Sequence, residues 1–303
     1  VSAALRQSGR TLKDKQIPLA GLAAAFIFAA QMFNFPVAAG TTGHLIGGAL
    51  AAVLLGPTVG ALVVTVVVIV QALAFADGGL TALGYNILNM AIVPAFGGYA
   101  VFRVFRRLLP KSAGGVVGAT GLAGLISVVL SAAAFSIEWL FGATAPVPFD
   151  TVFGAMVGVH SLIGIGEGVI SALVVGAVLA VRPDLVAGAA DLDRAQLADR
   201  RPARIRVFAI AAVLVTLFVA AVVSQFAADA PDGLERVALD TGITSDAGDS
   251  PLSNGPFADY ATAGVDNEQL SLAIAGVAGS LVTLTVGFGV LSAARASRRR
   301  SAA

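Results

Sequence analysis

Two histidines and no cysteine among 303 residues set the terms for any metal or proton chemistry in this chain. His44 lies in GTTGHLIGG (40–48), one glycine after Thr41 and Thr42, inside a stretch from Gln16 to Ala76 that contains no Asp, Glu, Lys or Arg. Neutral imidazole is the commonest metal ligand and suits Ni, Co, Cu and Zn. An ionisable side chain in apolar surroundings is costly unless it is paired, hydrated or bound. Spacing alone leaves His44 open as a metal ligand or as a hydrogen-bonded structural residue. His160 and Glu167, in GVHSLIGIGEG, are seven residues apart and so share one helix face, two turns from each other. Such a pair could relay protons, hold a cation, or bond separately to polar groups on a neighbouring helix. Asp77, in FADGGLTALGYN, closes an apolar run before two glycines and reads as a turn or as the start of a cavity-lining loop. Asn86 and Asn89, in NILNM, bring amides into an apolar run for buried hydrogen bonding.

Other chemistries are excluded by what the chain lacks. Without cysteine there is no disulfide, thiolate metal site or cysteine nucleophile. No GxxxxGK[ST], GxSxG or HExxH pattern occurs, so the sequence offers neither a P-loop for ATP nor a visible catalytic constellation. It reads as a non-enzyme that binds no ATP itself. Its basic clusters border apolar runs without interleaved aromatics, which points away from nucleic acid.

The elements that must hold these residues are membrane helices. With 57% hydrophobic and only 12% charged residues, several uncharged runs reach the ~20 residues needed to cross a bilayer. Candidate spans fall at about 18–35, 57–76, 83–102, 114–140, 151–181, 205–227 and 269–293, with a shorter apolar piece at 44–56. Four clusters, at Arg6–Lys15, Arg103–Lys111, Arg182–Arg206 and Arg295–Arg300, hold 18 of the 19 basic residues and belong on the cytoplasmic side. They share one side only if 44–56 also crosses. Thirteen residues at 1.5 Å rise cover only ~20 Å, so this piece is expected to be buried among other helices and entered through irregular backbone. The fold class is therefore an all-α polytopic membrane protein in the lipid bilayer, with about eight transmembrane helices, six plus two, including one short buried span. The expected units are 1–200 and 201–303, the second carrying an acidic extracytoplasmic, solvated loop at 228–268. The pairs Gly43/Gly47, Gly154/Gly158 and Gly164/Gly168 have GxxxG spacing, which predicts close helix packing.

In combination, GTTGHLIGGALAAVLLGP (40–57), QALAFADGGLTALGYNILNM (71–90) and HSLIGIGEG (160–168) resemble the CbiM/NikM family, the substrate-binding membrane component of energy-coupling-factor cobalt and nickel transporters. PDGLE (231–235), SPL (250–252) and ADYATAGVDNE (258–268) resemble the NikN-like PDGLE domain often fused after it. The resemblance implies a prokaryotic plasma-membrane protein that carries Ni²⁺ or Co²⁺ as transported substrate. It also implies partners: a T-type transmembrane coupling component and two cytoplasmic ABC ATPases. In that family the metal is held square-planar by the N-terminal amine, a backbone nitrogen and the imidazole of a second-position histidine, plus one imidazole from the glycine-threonine loop. Only the last carries over, onto His44. Position 2 here is Ser2, and VSAALRQSGRTLKDKQ has the look of a cytoplasmic loop, so a Met-His segment and one further helix are expected upstream. The competing reading is a proton-coupled secondary transporter that uses His160 and Glu167.

Overall fold

A computed structural model of the chain describes residues 16–37, 41–143, 145–192, 203–242 and 251–301. The basic opening at 1–15 and the arginines at 194, 200 and 201 lie outside the described residues. Helices dominate: α1 (Gln16–Gln31), α2 (Gly48–Leu55), α3 (Pro57–Ala74), α4 (Gly79–Asn86), α5 (Val93–Leu108), α6 (Ala113–Gly142), α7 (Phe149–Val181), α8 (Ile205–Ala221), α9 (Gly233–Thr241) and α10 (Glu268–Ser301). A π-helical segment, Ile87–Ile92, joins α4 to α5 without a break. The only strand pairing among the described residues is antiparallel, between β1 (Phe35–Pro36) and β2 (Thr42–Gly43), with Phe35 opposite Gly43. This is a multi-pass membrane protein.

Among the described residues six helices are long and apolar enough to cross a membrane: α3, the continuous 79–108 unit, α6, α7, α8 with its short extension, and α10. The remaining two of the eight expected spans fall short, α1 with 16 residues and α2 with eight. All eight residues of α2 are buried, as a helix that is apolar on every side must be. Its ends are set by glycines in conformations that other residues rarely adopt, Gly47 at φ 79° and Gly56 at φ 89°. Pro57 then opens α3, where its missing N–H costs nothing. The α2–α3 hairpin is tight: a Cβ on Gly60 would lie 2.6 Å from the backbone nitrogen of Ala52.

The glycine spacing has mixed outcomes. Gly164 and Gly168 pack α7 onto α6, where added Cβ atoms would come 2.7 Å from the Leu125 carbonyl oxygen and 2.6 Å from that of Gly121. Gly43 and Gly47 meet the side chains of Ile163 and Ile27, not a partner helix backbone. Gly154 and Gly158 face open space, so their GxxxG spacing makes no helix contact here. Spacing alone does not say which face meets a neighbour. Gly164→Ala is therefore expected to lower the melting temperature in detergent by overpacking, worth about 1–3 kcal/mol. Gly158→Ala should leave it unchanged or raise it, because alanine is the better helix former. Equal melting temperatures for the two variants would contradict the α6–α7 packing.

Among the described residues of 228–268, expected to be a solvated loop, several contacts reach the membrane unit, while many side chains remain exposed. Helix α9 packs on α7. The Ala228 N–H donates to the Asn34 carbonyl at 2.9 Å, and the Asp259 N–H donates to the Phe75 carbonyl at 2.9 Å. Both spans of the C-terminal unit lie against α1, where α10 approaches so closely that a Cβ on Gly21 would sit 3.0 Å from the Leu284 carbonyl oxygen.

Candidate metal centre

The His44 loop bridges β2 and α2, and its peptides are clamped from both sides. The Glu167 carboxylate, fully buried on α7, accepts the Ile46 N–H at 2.6 Å and the Gly47 N–H at 3.0 Å. Gly47 is the N-cap of α2 and Ile46 the residue before it, and neither N–H has a carbonyl partner within the helix, so an anion at that point is favourable on hydrogen-bonding and dipole grounds. On the other side of the same peptide, Gln31 Nε2 donates to the Ile46 carbonyl at 3.0 Å. Gln71 Nε2 in turn donates to Gln31 Oε1 at 2.8 Å and to the Tyr260 hydroxyl at 3.0 Å. The Tyr260 hydroxyl donates to Asp77 Oδ2 at 2.5 Å. Burial, and after it the Asp77 carboxylate, push the Tyr260 phenol well above its usual range, so it remains a donor.

This chain of bonds runs from the C-terminal unit to the peptide two residues beyond His44. Tyr260 is seated against Phe75, with ring centroids 5.0 Å apart, and against Phe28 at 6.2 Å. Its positive φ of 58°, beside 52° at Asp259, is a conformation that non-glycine residues seldom hold. The aromatic seat and the Asp77 bond hold it there.

One cavity of about 700 Å³ collects most of the residues singled out by sequence. His44, Asp77, Asn86, Asn89 and His160 line it, together with Asp232, Gln31 and Gln71. It lies at the end of the helices opposite the arginines that close α5 and α7. Thr41 and Thr42 are buried behind it; Thr42 donates its N–H to the Pro231 carbonyl and its hydroxyl to the Ala230 carbonyl, each at 2.9 Å. Glu167 is behind the His44 loop and outside the cavity lining. His160 bonds through Nδ1 to the Met156 carbonyl of its own helix at 2.8 Å, not to another helix. Of the readings their spacing left open, His160 and Glu167 have separate partners here, the Met156 carbonyl for one and the Ile46 and Gly47 peptides for the other. Asn89 Nδ2 donates to Glu138 Oε2 at 2.7 Å from within the π-helical segment.

His44 itself presents one nitrogen to the cavity. Its Nδ1 lies 3.1 Å from the Leu45 carbonyl oxygen, which can only accept, so Nδ1 carries the proton. In the neutral ring Nε2 is then the nitrogen with the lone pair, and it lies 3.9 Å from Asp232 Oδ2. A neutral imidazole nitrogen open to a polar cavity is what an incoming divalent ion requires. Among the described residues no cluster of three or more His, Cys, Asp or Glu side chains is placed to hold a metal.

The family described as "Cobalt uptake substrate-specific transmembrane region", CbiM, matches residues 1–185, and the PDGLE domain matches 206–296. The chain belongs to the CbiM family. Relatives with the same fused arrangement include a protein of Archaeoglobus fulgidus provisionally named fused nickel transport protein NikMN, 36% identical over 93% of this chain and 88% of its own length. The fused nickel transport protein NikMN of Rhodobacter capsulatus is 31% identical over 98% of this chain and 92% of its own length. A crystal structure of a truncated transition metal transporter superposes with a TM-score of 0.52 at 34% identity, covering 59% of this chain and 87% of that one. As a CbiM-family protein the chain is a membrane component of cobalt or nickel transport. The family domain contains His44, and the PDGLE domain contributes Asp232 and Tyr260 to the same cavity.

Sequence reasoning missed Asp232, Gln31, Gln71 and Tyr260. For Asp232 a signal was present, in that PDGLE was recognised as a motif, but nothing in its composition placed it beside His44.

Proposed function

We propose that this chain captures Ni²⁺ or Co²⁺ from the outer side at His44. Two cytoplasmic ABC ATPases, acting through a T-type transmembrane coupling component, drive its release inward. The observation that carries this reading is the open Nε2 of His44 in the cavity, with Nδ1 occupied by Leu45. Imidazole combined with nitrogen or oxygen donors suits both ions, and no thiolate is present to favour a softer metal. Glu167 supports it from behind. Both of its oxygens are taken by peptides of the loop, which favours an anchored metal loop over a His160–Glu167 proton relay.

Uptake of labelled nickel should be measured in cells that lack their own nickel importers and express this chain with its coupling component and ATPases. Uptake is expected with active ATPases and is expected to vanish when their Walker lysines are substituted. Uptake that survives inactive ATPases but is stopped by a protonophore would establish the secondary-transport reading instead.

A further inference from the structure

We propose that Tyr260, in the C-terminal unit, is a positioning residue for the metal loop: through an unbroken chain of hydrogen bonds it fixes the orientation and tautomer of the His44 ring, without touching the ion. This rests on the reading of His44 as a ligand.

The groups in this chain leave no freedom of direction. Asp77, as a carboxylate, only accepts, so the Tyr260 hydroxyl gives it the hydrogen and turns its own oxygen to Gln71. Gln71 Nε2 uses one hydrogen on that oxygen at 3.0 Å and the other on Gln31 Oε1 at 2.8 Å. Gln31 is left with Nε2 toward the Ile46 carbonyl, which again only accepts. With an acceptor at each end, neither amide can flip without setting oxygen against oxygen. The Ile46 carbonyl and the Gly47 N–H are two ends of one planar peptide, and that N–H is held by Glu167 Oε1. The other Glu167 oxygen accepts the Ile46 N–H. That N–H shares the preceding peptide with the Leu45 carbonyl, the acceptor for His44 Nδ1. Every step from Asp77 to the imidazole is therefore a hydrogen bond or a single rigid group.

Gln31 and Gln71 are only 6% and 4% exposed, so bulk water cannot stand in for a missing partner. A buried network that is fully satisfied is rigid, and one broken member is costly. The left-handed backbone at Asp259 and Tyr260 is strain of the kind a fold keeps where a side chain must reach one point.

The test is Tyr260→Phe, which keeps the ring in its seat against Phe75 and Phe28 and removes only the hydroxyl. The first readout needs no metal: ¹⁵N spectra of the purified full chain in lipid, labelled in its histidine rings, at a pH where both rings are neutral, with His160→Gln used to assign the second ring. The parent is expected to show a protonated Nδ1 and a bare Nε2 at His44, and Tyr260→Phe a mixture of both tautomers. The second readout is nickel uptake in cells that express the chain with its coupling component and ATPases. There KM is expected to rise about 2–30-fold, with the maximal rate per membrane-inserted protein little changed. Gly21→Ala is the control for mere loosening, because its Cβ would crowd the Leu284 carbonyl of α10 without touching the chain of bonds. It is expected to lower the melting temperature by overpacking and to leave tautomer and KM as in the parent. Both readouts moving in Tyr260→Phe, and neither in Gly21→Ala, would support Tyr260 as a positioning residue; any other pattern would overturn it. Normal uptake by His44→Ala would instead remove the His44 reading, while the tautomer spectrum still decides whether Tyr260 holds the ring.

Discussion

Replacement of His44 by alanine is expected to abolish nickel and cobalt uptake while leaving the protein's abundance in the membrane nearly unchanged. The two effects separate because the side chain is 27% exposed and makes only one local hydrogen bond, to the carbonyl of the next residue. Little packing and no buried network depend on it. Loss of the ligand proposed for the ion is a different matter, because even a partner one bond away from a metal ligand is worth about 10–100-fold in affinity. A fall in uptake of about 100-fold or more is expected. The check is labelled-metal uptake normalised to immunoblotted membrane protein. Uptake equal to that of the parent would remove His44 from the site, and a proportional loss of protein would make it a structural residue.

Glu167→Ala should also silence transport, but through the fold. The carboxylate is the acceptor for two buried peptide N–H groups, at Ile46 and Gly47. Each orphaned buried donor costs about 1–3 kcal/mol. The loop must then rearrange or the protein must absorb the loss, and in either case His44 is displaced. A drop in melting temperature of roughly 5–15 °C is expected in detergent, accompanied by loss of metal binding. Glu167→Gln should fall between: its amide oxygen can accept from one peptide, while its NH₂ group faces the other donor. Scanning fluorimetry and calorimetry on the three proteins read this order directly. Parental stability and binding in Glu167→Ala would show that the loop keeps its shape without the carboxylate.

The cavity was legible to the extent that polar residues interrupt apolar runs. His44, Asp77, Asn86, Asn89 and His160 stand out against their surroundings, and the fold gathers all five. Which of two polar residues faces the cavity was not legible. Glu167 shares the predicted face with His160 yet reaches behind the loop, because the position of α2 decides what a carboxylate at that height meets. Asp232 is one of nine acidic residues between 228 and 268. It is distinguished only by the long-range pairing of Thr42 with Pro231 and Ala230, which no local pattern encodes. Gln31 and Gln71 also interrupt apolar runs, but their bond to each other depends on how α1 meets α3. The short buried helix inside 44–56 was legible from its length and apolar composition; that this piece crosses the membrane is an expectation from the basic clusters.

The length of α2 also fixes where in the transmembrane electric field a bound ion would rest. From their shared hairpin at Gly56, α3 extends about 27 Å and α2 only about 12 Å. The loop bearing His44 therefore meets the bundle near half the height of its neighbour. Each elementary charge that falls through 100 mV gains about 2.3 kcal/mol, so a divalent ion gains about twice that over the full thickness. An ion captured at His44, as proposed above, would have collected part of that gain before its release inward. Capture at this depth would then be a voltage-assisted step, stronger in a cell with an energised, inside-negative membrane than in detergent, where equilibrium affinities are measured.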